Sequence, residues 1–255
     1  MKKIAVVTGA SSGMGREFVR QLSRDELFDE IWVIARRRKL LDSLKAEVHV
    51  RLKPVCLDLT QKEALEEYGA LLEKADVEVK VLVNASGFGI FRSFEETQLQ
   101  DAYDMIDLNT KAMLAITYKT LPYMMEGGRI YQLGSLSAFQ PVPYMNVYAA
   151  TKAFVLSFSR ALNVELKHRG IRVMAVCPGW VRTEFFRRAV TKDDVITYYN
   201  RFYESADVVK KALKDMKKGK DVSILGFPVR VQVWLTKWLP HRLVMKIWCR
   251  QQGKK

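Results

Sequence analysis

Short apolar runs alternate along the chain with stretches in which apolar residues recur every three or four positions. The runs at residues 4–7 and 31–35 are rich in β-branched residues, which is typical of strands buried in a parallel sheet. Five more runs are predicted as strands, at residues 54–59, 79–83, 128–133, 171–177 and 221–225. Helices are predicted at residues 16–24, 62–74, 101–125 and 147–169. This alternation predicts an α/β fold, a doubly wound seven-stranded parallel sheet with helices on both faces.

The composition fits a single domain of that class. The 255 residues are 49% hydrophobic, enough to bury one sizeable core. Three cysteines and three histidines lie far apart, so we expect neither disulfides nor a metal site. The apolar run after Met1 is too short for a secretory signal, and no stretch approaches the roughly 20 apolar residues that span a bilayer. We therefore expect the protein in the cytoplasm.

A glycine-rich turn separates the first predicted strand from the first predicted helix. It consists of Thr8-Gly9-Ala10-Ser11-Ser12-Gly13-Met14-Gly15. Small residues let the backbone of such a turn approach a pyrophosphate, whose charge is stabilised at the N-terminus of the following helix. A glycine pattern alone is weak, but strand, turn and helix together predict a Rossmann-like dinucleotide-binding unit. The predicted cofactor-binding residues here are Gly9, Ser11, Ser12, Gly13, Met14 and Gly15.

The end of the second predicted strand indicates which dinucleotide binds. A carboxylate at this place would bind the adenosine ribose hydroxyls and favour NAD. The sequence instead has Ala35 followed by Arg36 and Arg37. A guanidinium pairs well with a 2′-phosphate, and the missing carboxylate removes a repulsion against it. A solvated basic loop is the alternative, and it too would leave NAD without its usual carboxylate. We predict NADP(H), with Arg36 as the first contact and Arg37 as the second.

The central chemical feature is Tyr148 followed by Lys152 in the helix predicted at residues 147–169. Residues four apart share one helix face, so the phenol and the ammonium can meet in one site. A nearby positive charge is expected to lower the pKa of the phenol towards the range useful for acid–base catalysis. An isolated pair of this kind is weak, because any helix can carry it by chance. Ser135 lies thirteen residues upstream, at the end of a predicted strand. Together with the glycine-rich turn, it argues against a chance occurrence of the Tyr148–Lys152 pair.

These motifs together resemble the short-chain dehydrogenase/reductase family, in its branch with Thr-Gly-x-x-x-Gly-x-Gly. The resemblance covers residues 4 to about 226. It implies a catalytic set of Asn109, Ser135, Tyr148 and Lys152. In this set Tyr148 would exchange a proton with the substrate oxygen, and Ser135 would hydrogen-bond the same oxygen. Lys152 would also bind the nicotinamide ribose, and Asn109 would hold a water in a proton relay.

The resemblance also implies further cofactor contacts. An acidic residue at Asp58, followed by Leu59, is expected to contact the adenine. The family usually has Asn-Asn-Ala-Gly where this sequence has Asn84-Ala85-Ser86-Gly87, so Ala85 is a departure that weakens the motif slightly. A Pro-Gly loop is expected to meet the nicotinamide amide. The residues implied by these motifs are Asn84, Ala85, Ser86, Gly87, Pro178, Gly179, Val181 and Thr183, together with Tyr148 and Lys152.

Aromatic residues surround the expected substrate position. The resemblance places a mobile lid at residues 184–205, a stretch rich in Phe and Tyr. Ordinary packing is the alternative for each aromatic side chain taken singly. The predicted substrate-binding residues are Ser135, Tyr144, Tyr148, Trp180 and Phe185. They favour a hydrophobic ketone or secondary alcohol. We rank a steroid or bile-acid hydroxyl first and a fatty 3-oxoacyl group second, with a non-catalytic NADP-binding sensor as the rival from another class.

Positive charge is concentrated in the last part of the sequence. The formal net charge is +14, and residues 210–255 supply +11 of it, with 13 Lys/Arg and two Asp. We divide the chain into a dinucleotide-binding and catalytic domain, residues 1–226, and a basic amphipathic tail, residues 227–255, broken by Pro240. We expect the tail to pack on its own domain or across a subunit interface; the alternative is that it lies in a membrane interface or binds an acidic partner. Nucleic acid is not expected as a partner, because no recognition motif accompanies the charge. We expect a homo-dimer or homo-tetramer.

Overall fold

Parallel strands form one seven-stranded sheet in this computed structural model. The structure describes residues 1–24, 28–189 and 195–254, without the side chains of residues 187 and 188. The strands are β1 Lys2–Thr8, β2 Glu30–Ile34, β3 Leu52–Val55, β4 Val77–Asn84, β5 Met124–Leu133, β6 Arg172–Val176, β7 Trp180–Val181, β8 Phe202–Tyr203 and β9 Val222–Ser223. The order in the sheet is β3-β2-β1-β4-β5-β6-β9, so the chain reverses its direction of winding between β1 and β4. The predicted fold class is confirmed.

Helices connect the strands and cover both faces of the sheet. They are α1 Gly13–Leu22, α2 Arg38–Ser43, α3 Lys62–Glu73, α4 Leu99–Ile106, α5 Met113–Thr120, α6 Asn146–Glu165, α7 Phe185–Ala189, α8 Ser205–Lys217, α9 Phe227–Thr236 and α10 His241–Gln251. In β1, Ala5 and Val7 pack on the face that carries Phe18 of α1, whereas Ile4 packs on the face that carries Tyr68 of α3. Burial on both faces explains why the strands are continuous apolar runs.

The third strand is shorter than predicted. β3 pairs with β2 as far as Val55, which lies opposite Ile34, the last residue of β2. Because β2 ends there, residues 56–59 leave the sheet. Asp58 therefore lies on the loop that leads to α3, beyond the carboxyl end of the strand.

The prediction of one helix over residues 101–125 is wrong. A π-helical turn, Asp107–Ala112, separates α4 from α5 and carries Asn109. The helix then ends at Thr120, because Pro122 lacks the N–H that a helix interior needs. Asn109, a residue that is unfavourable inside a regular α-helix, thus coincides with a local distortion.

The predicted lid, residues 184–205, is described except for residues 190–194. Its first part forms α7, and its last part forms β8, which pairs with β7 through Trp180 opposite Phe202. The two described parts therefore flank the loop that follows β6.

The segment predicted as a tail folds back on the domain. Pro240 separates α9 from α10, as predicted. Trp248 in α10 donates from Nε1 to the carbonyl of Pro143 at 3.1 Å. The side-chain oxygen of the buried Gln252 accepts a hydrogen bond from the backbone N–H of Tyr198 at 2.9 Å. Over the residues described, no helix combines the length and the apolar character that crossing a membrane requires.

Candidate active site

Two adjoining cavities open at the carboxyl ends of the strands, beside the point where the winding of the sheet reverses. The smaller cavity, about 320 Å³, lies along the turn between β1 and α1. The larger cavity, about 460 Å³, lies between α6, α9, α10 and the loop after β6. They share the lining residues Met14, Ala85, Gly87, Thr183 and Phe185. An elongated ligand can therefore extend from one cavity into the other.

The glycine-rich turn forms one wall of the smaller cavity. Gly9 and Gly13 have φ angles of +65° and +54°, in the left-handed region that favours glycine. A side-chain carbon on Gly15 would lie 2.3 Å from the carbonyl oxygen of Gly9, so α1 can begin this close to the turn only with glycine there. The six residues predicted at this wall all line the cavity: Gly9, Ser11, Ser12, Gly13, Met14 and Gly15.

The loop after β4 forms the facing wall. Thr8 Oγ1 accepts hydrogen bonds from the backbone N–H groups of Ala85 and Ser86, at 3.1 and 3.2 Å, which ties this loop to the turn. Asn84 is directed away from both cavities, and its Nδ2 donates to Thr117 Oγ1 at 3.0 Å. Asn84 therefore braces α5 against the sheet, whereas Ala85, Ser86 and Gly87 line the smaller cavity.

Basic residues lie at the outer rim of the smaller cavity. The predicted rim residues Arg36, Arg37, Asp58 and Leu59 all line it. Arg36 extends to Asp58, with 3.5 Å between Nη1 and the carboxylate. Arg37 donates to Ser11 Oγ at 3.0 Å and pairs with Glu184 at 2.8 Å. Arg37 is thus anchored on the glycine-rich turn, and the sequence had not singled out its partner Glu184.

The smaller cavity fits a dinucleotide. Along one wall the glycines leave the backbone accessible to a ligand. At the end of β2, Ala35 offers no carboxylate, and the guanidinium groups of Arg36 and Arg37 lie there. A side-chain carbon on Gly87 would lie 2.8 Å from Asn109 Oδ1 and 3.4 Å from Lys152 Nζ, so glycine keeps the passage between the cavities open. The residues present can therefore hold a phosphate-bearing cofactor with its reactive end in the larger cavity.

Tyr148 and Lys152 lie together on the buried face of α6. Lys152 Nζ is 5.7 Å from the centre of the Tyr148 ring and donates to the carbonyl of Leu133 at 2.7 Å. The hydroxyl of Ser135 lies beside the Tyr148 phenol and accepts a hydrogen bond from the backbone N–H of Ser137 at 3.2 Å. Ser135, Tyr148 and Lys152 all line the larger cavity. The structure therefore brings Ser135, from the end of β5, together with the Tyr148–Lys152 pair of α6.

Burial determines the acidity of both groups on α6. It raises the pKa of Tyr148 to about 12, although the neighbouring Ser135 hydroxyl acts in the opposite direction. Burial lowers the pKa of Lys152 to about 8. The prediction of a lowered Tyr148 pKa is wrong for the chain alone, because the loss of water around the buried phenol dominates. At neutral pH the phenol is therefore protonated and is a proton donor.

Asn109 connects the π-helical turn to two other parts of the site. Its Oδ1 accepts from the backbone N–H of Phe88 at 3.0 Å, and its Nδ2 donates to the carbonyl of the same residue at 2.9 Å. Nδ2 also donates to Thr151 Oγ1 in α6 at 3.1 Å. Asn109 thereby holds the loop with Gly87 beside Lys152. The water relay implied by the resemblance stays a prediction.

Aromatic rings form the apolar wall of the larger cavity. The Phe185 ring lies 5.6 Å from the Tyr148 ring. Trp180 contacts Phe91 edge-on at 5.9 Å, and Phe91 in turn lies 6.3 Å from Tyr148. Trp180 and Phe185 therefore line the cavity as predicted. Tyr144 does not: its ring lies outside the lining, where it faces Lys254, and the nearby Val142 and Met145 line the cavity instead.

Sequence reasoning missed two contributors to this wall. A side-chain carbon on Gly89 would lie 2.8 Å from Tyr148 Cδ2 and 2.9 Å from Phe185 Cζ, so glycine is what allows both rings to sit there. The second glycine in Gly87-Phe88-Gly89 was the available signal. The other contributor is the tail, which supplies Pro228, Val231, Gln232, Leu235, Thr236, Leu239, Val244, Ile247, Trp248 and Gln251 to the lining. Its amphipathic spacing indicated burial but not what it would cover.

The loop after β6 completes the junction between the cavities. Pro178, Gly179, Val181 and Thr183 line the larger cavity, and Thr183 lines the smaller one as well. The family model for short chain dehydrogenases matches residues 3–194, which contain every catalytic and cofactor residue predicted above. The chain belongs to the short-chain dehydrogenase family, whose members are oxidoreductases that act on CH–OH groups. The resemblance seen in the motifs is confirmed.

Characterised relatives differ in substrate. Sulfoacetaldehyde reductase 2 of Chromohalobacter salexigens is 34% identical over 194 residues, covering 72% of this chain and 75% of that protein. Very-long-chain 3-oxoacyl-CoA reductase-A of Danio rerio is 31% identical over 263 residues, covering 97% of this chain and 77% of that protein. A solved short-chain dehydrogenase from Sphingobium yanoikuyae in complex with NADPH has a TM-score of 0.79 at 28% identity, covering 92% of this chain and 93% of that one.

Proposed function

We propose that this protein is an NADP(H)-dependent oxidoreductase that interconverts a hydrophobic ketone and the corresponding secondary alcohol. The observation that carries the proposal is the larger cavity, whose aromatic and aliphatic lining leads directly to Tyr148 and Ser135. A cavity of about 460 Å³ is too large and too apolar for a small polar aldehyde alone. We place a steroid or bile-acid hydroxyl first among the substrates.

NADP(H) is the cofactor that the rim of the smaller cavity favours. The two guanidinium groups of Arg36 and Arg37 can pair with a 2′-phosphate, and Ala35 offers no carboxylate for the ribose hydroxyls. The Sphingobium relative binds NADPH, which agrees with this assignment. In the structure Arg36 pairs with Asp58 and Arg37 pairs with Glu184. A 2′-phosphate would compete with both carboxylates for these arginines. When bound, the cofactor supplies the hydride for the carbonyl carbon.

Tyr148 supplies the proton in the reductive direction. Its phenol is protonated at neutral pH because its pKa is raised to about 12. Transfer of that proton to the substrate oxygen completes the alcohol. Ser135 would hydrogen-bond the same oxygen and stabilise its developing negative charge, a role supported by its position beside Tyr148 in the lining of the larger cavity. In the oxidative direction the Tyr148 phenolate would accept the alcohol proton.

Lys152 acts through its position beside the phenol. As Tyr148 loses its proton, a nearby ammonium stabilises the phenolate. The pKa of Lys152, lowered to about 8, keeps most of this charge at neutral pH. We assign Asn109 the role of holding Phe88 and Thr151, and through them the relative positions of the β4 loop and α6.

A long-chain 3-oxoacyl group is the second candidate substrate. The Danio rerio relative aligns over nearly the whole chain, including α9 and α10, which form the far wall of the larger cavity. An extended acyl chain would lie along Leu235, Leu239 and Val244 of that wall. The rates of NADPH oxidation with a fused-ring ketone and with an acyl thioester distinguish the two candidate substrates.

We also propose a homo-dimer or homo-tetramer in the cytoplasm. Exposed apolar side chains on α4, α5 and α6, among them Tyr103, Leu114, Tyr118 and Phe154, provide a surface for a second subunit. Light scattering coupled to size-exclusion chromatography measures the mass directly. In this proposal residues 1–226 bind the cofactor and perform the chemistry, residues 184–205 close over the substrate, and the tail covers it.

The decisive test combines a substrate panel with Tyr148→Phe. NADPH oxidation is measured against steroid and bile-acid ketones, 3-oxoacyl thioesters and small ketones. We expect turnover of a steroid-like ketone, and we expect Tyr148→Phe to reduce kcat by about 10²–10⁴-fold while NADPH binding stays intact. Tyr123→Phe, which removes a phenol hydroxyl from the turn that precedes β5 and lines neither cavity, is the matched control and should keep wild-type activity.

Each other outcome has a definite meaning. Turnover confined to 3-oxoacyl thioesters would select the second candidate. A fully active Tyr148→Phe variant would refute the assigned proton donor. NADPH binding without turnover of any ketone would refute the enzymatic proposal and favour a sensor.

A further inference from the structure

The outward face of α9 and α10 is unusually apolar for a solvent-exposed surface. Both helices bury one side, with Val229, Val233 and Val244 packed inward. Their other side exposes large apolar residues, and the indoles of Trp234 and Trp238 are 58% and 74% exposed. Phe227, Leu235, Leu243 and Ile247 extend this surface, which we call the outer face of α9–α10. A contiguous apolar surface of this kind marks an interaction site.

Basic residues are interleaved with the apolar residues of the outer face. Arg230, Lys237, Arg242, Lys246 and Arg250 are all exposed. Residues 227–255 contain seven Lys/Arg and no Asp or Glu. Among the residues that the structure describes, these five basic side chains form no ion pair with a carboxylate. Their charge is therefore available to an anionic partner.

The larger cavity shares lining residues with the same face, and we take these residues as its mouth. Val231, Leu235 and Ile247 line the cavity and are also 38%, 41% and 43% exposed. Residues that are both cavity lining and solvent-exposed define its mouth. An apolar ligand that enters or leaves at this point passes directly over the outer face of α9–α10.

We propose that the outer face of α9–α10 docks on an anionic lipid bilayer, with the cavity mouth turned towards the lipid. Tryptophan, phenylalanine and leucine insert favourably at the boundary between headgroups and acyl chains, while Lys and Arg bind anionic headgroups. With 10 and 11 residues, α9 and α10 are about 15–17 Å long, so they lie along the interface and do not span it. An apolar substrate then reaches the cavity from the bilayer, a step that rests on the proposed function.

Charge distinguishes a lipid surface from a second copy of the chain. A symmetric dimer through this face would place its basic residues against the same residues of the other copy, because a two-fold interface uses one patch twice. No carboxylate within residues 227–255 could offset that repulsion. An anionic membrane complements both the charge and the exposed indoles.

The test is co-sedimentation of the full-length protein with vesicles of phosphatidylcholine alone or mixed with phosphatidylserine. We expect binding to the anionic vesicles at least tenfold stronger than to the neutral ones, weakening as salt is added. Two double variants test the face: Trp234→Ser/Trp238→Ser removes the indoles, and Lys237→Glu/Lys246→Glu reverses two charges. Each should lower binding at least tenfold. Neither pair lines the cavity.

The matched control is Lys210→Glu/Lys214→Glu, which changes the net charge equally but on the exposed side of α8. It should retain binding. An equal loss in this control, or no binding of the wild type to anionic vesicles, would overturn the proposal. A wild-type dimer that dissociates in Trp234→Ser/Trp238→Ser would assign the face to a second copy instead.

Activity separates this proposal from the proposed function. All variants are assayed with NADPH and a water-soluble ketone, and then with an apolar ketone embedded in anionic vesicles. We expect the two outer-face variants to match the wild type in the first assay and to fall at least fivefold behind it in the second. Vesicle binding without turnover of any ketone would refute the proposed function alone. Turnover of soluble ketone without vesicle binding would refute the docking alone.

Discussion

Gly89 is the position at which one added methyl group tests the placement of Tyr148. In Gly89→Ala the new carbon would lie 2.8 Å from Tyr148 Cδ2 and 2.9 Å from Phe185 Cζ. Favourable carbon contacts occur at about 3.5–4.0 Å, so one or both rings must move by roughly 0.6–1.2 Å. Overpacking of this kind costs about 1–3 kcal/mol of folding stability. A displacement near 1 Å at a reacting group can cost about 100-fold in rate.

The two rings predict different kinetic outcomes. Tyr148 belongs to the 20-residue α6, whereas Phe185 begins the five-residue α7. If Tyr148 moves, kcat for ketone reduction falls by about 10–100-fold. If Phe185 alone moves, the substrate pocket narrows and KM rises while kcat is retained. We expect the fall in kcat, because a movement of Phe185 would leave the close contacts with Tyr148 Cδ2 and Cγ, at 2.8 and 3.1 Å, unrelieved. Steady-state kinetics at saturating NADPH and urea unfolding measure both quantities.

Gly69→Ala is the matched control for this substitution. Gly69 lies in α3, and an added carbon there meets only the flexible end of Lys119, at 3.0 Å from Nζ. Alanine also favours the helix by about 1 kcal/mol over glycine. We expect wild-type kinetics and equal or higher stability. If Gly89→Ala also shows wild-type kcat, KM and unfolding free energy, the rings accommodate the methyl group freely and the inferred constraint on Tyr148 is refuted.

Two further predictions concern charged residues. Arg36→Asp should lower kcat/KM for NADPH at least tenfold relative to NADH, because a carboxylate repels the 2′-phosphate; an unchanged ratio of the two would mean that Arg37 alone recognises this group. Glu47 hydrogen-bonds Arg16 and Arg20, which lowers its pKa from 4.5 to about 2, so its stabilisation is present above pH 4.5 and is lost as the pH falls towards 2. Since the site is partly exposed, Glu47→Gln should lower the free energy of unfolding by about 1–2 kcal/mol at pH 7. Urea titrations at several pH values should show this difference shrinking below pH 4.5, and a constant difference would contradict the pKa assignment.

The sheet could be predicted because its information is local. Strands buried on both faces are continuous apolar runs, and each run carries its own signal. The predictions were wrong where contacts with residues distant in the sequence determine the local structure. Residues 56–59 look like strand in isolation, but β2 ends at Ile34 and offers no further backbone to pair with. The helix at residues 101–125 likewise looks continuous, and the π-helical turn at Asn109 depends on its bonds to Phe88 and Thr151.

The candidate site divides in the same way. Glycine spacing and the Tyr148–Lys152 interval are local, and they placed the main groups in one cleft. The motif could not predict the pKa of Tyr148, because that pKa depends on burial by rings from other elements. The sequence motifs could not predict the role of the tail either. Trp248 reaches Pro143, 105 residues away, and no periodicity within α10 specifies that contact.

That long-range closure has a consequence for the nascent chain. Domains assemble from the N-terminus as translation proceeds, so the strands β1 to β4 and the glycine-rich turn emerge early. The wall supplied by α9 and α10 emerges after every strand of the sheet. Until the ribosome has released that segment, the apolar cleft beside Tyr148 stays open to the surrounding solution. The interval before Trp248 docks is therefore when the newly made protein depends most on chaperones to avoid aggregation.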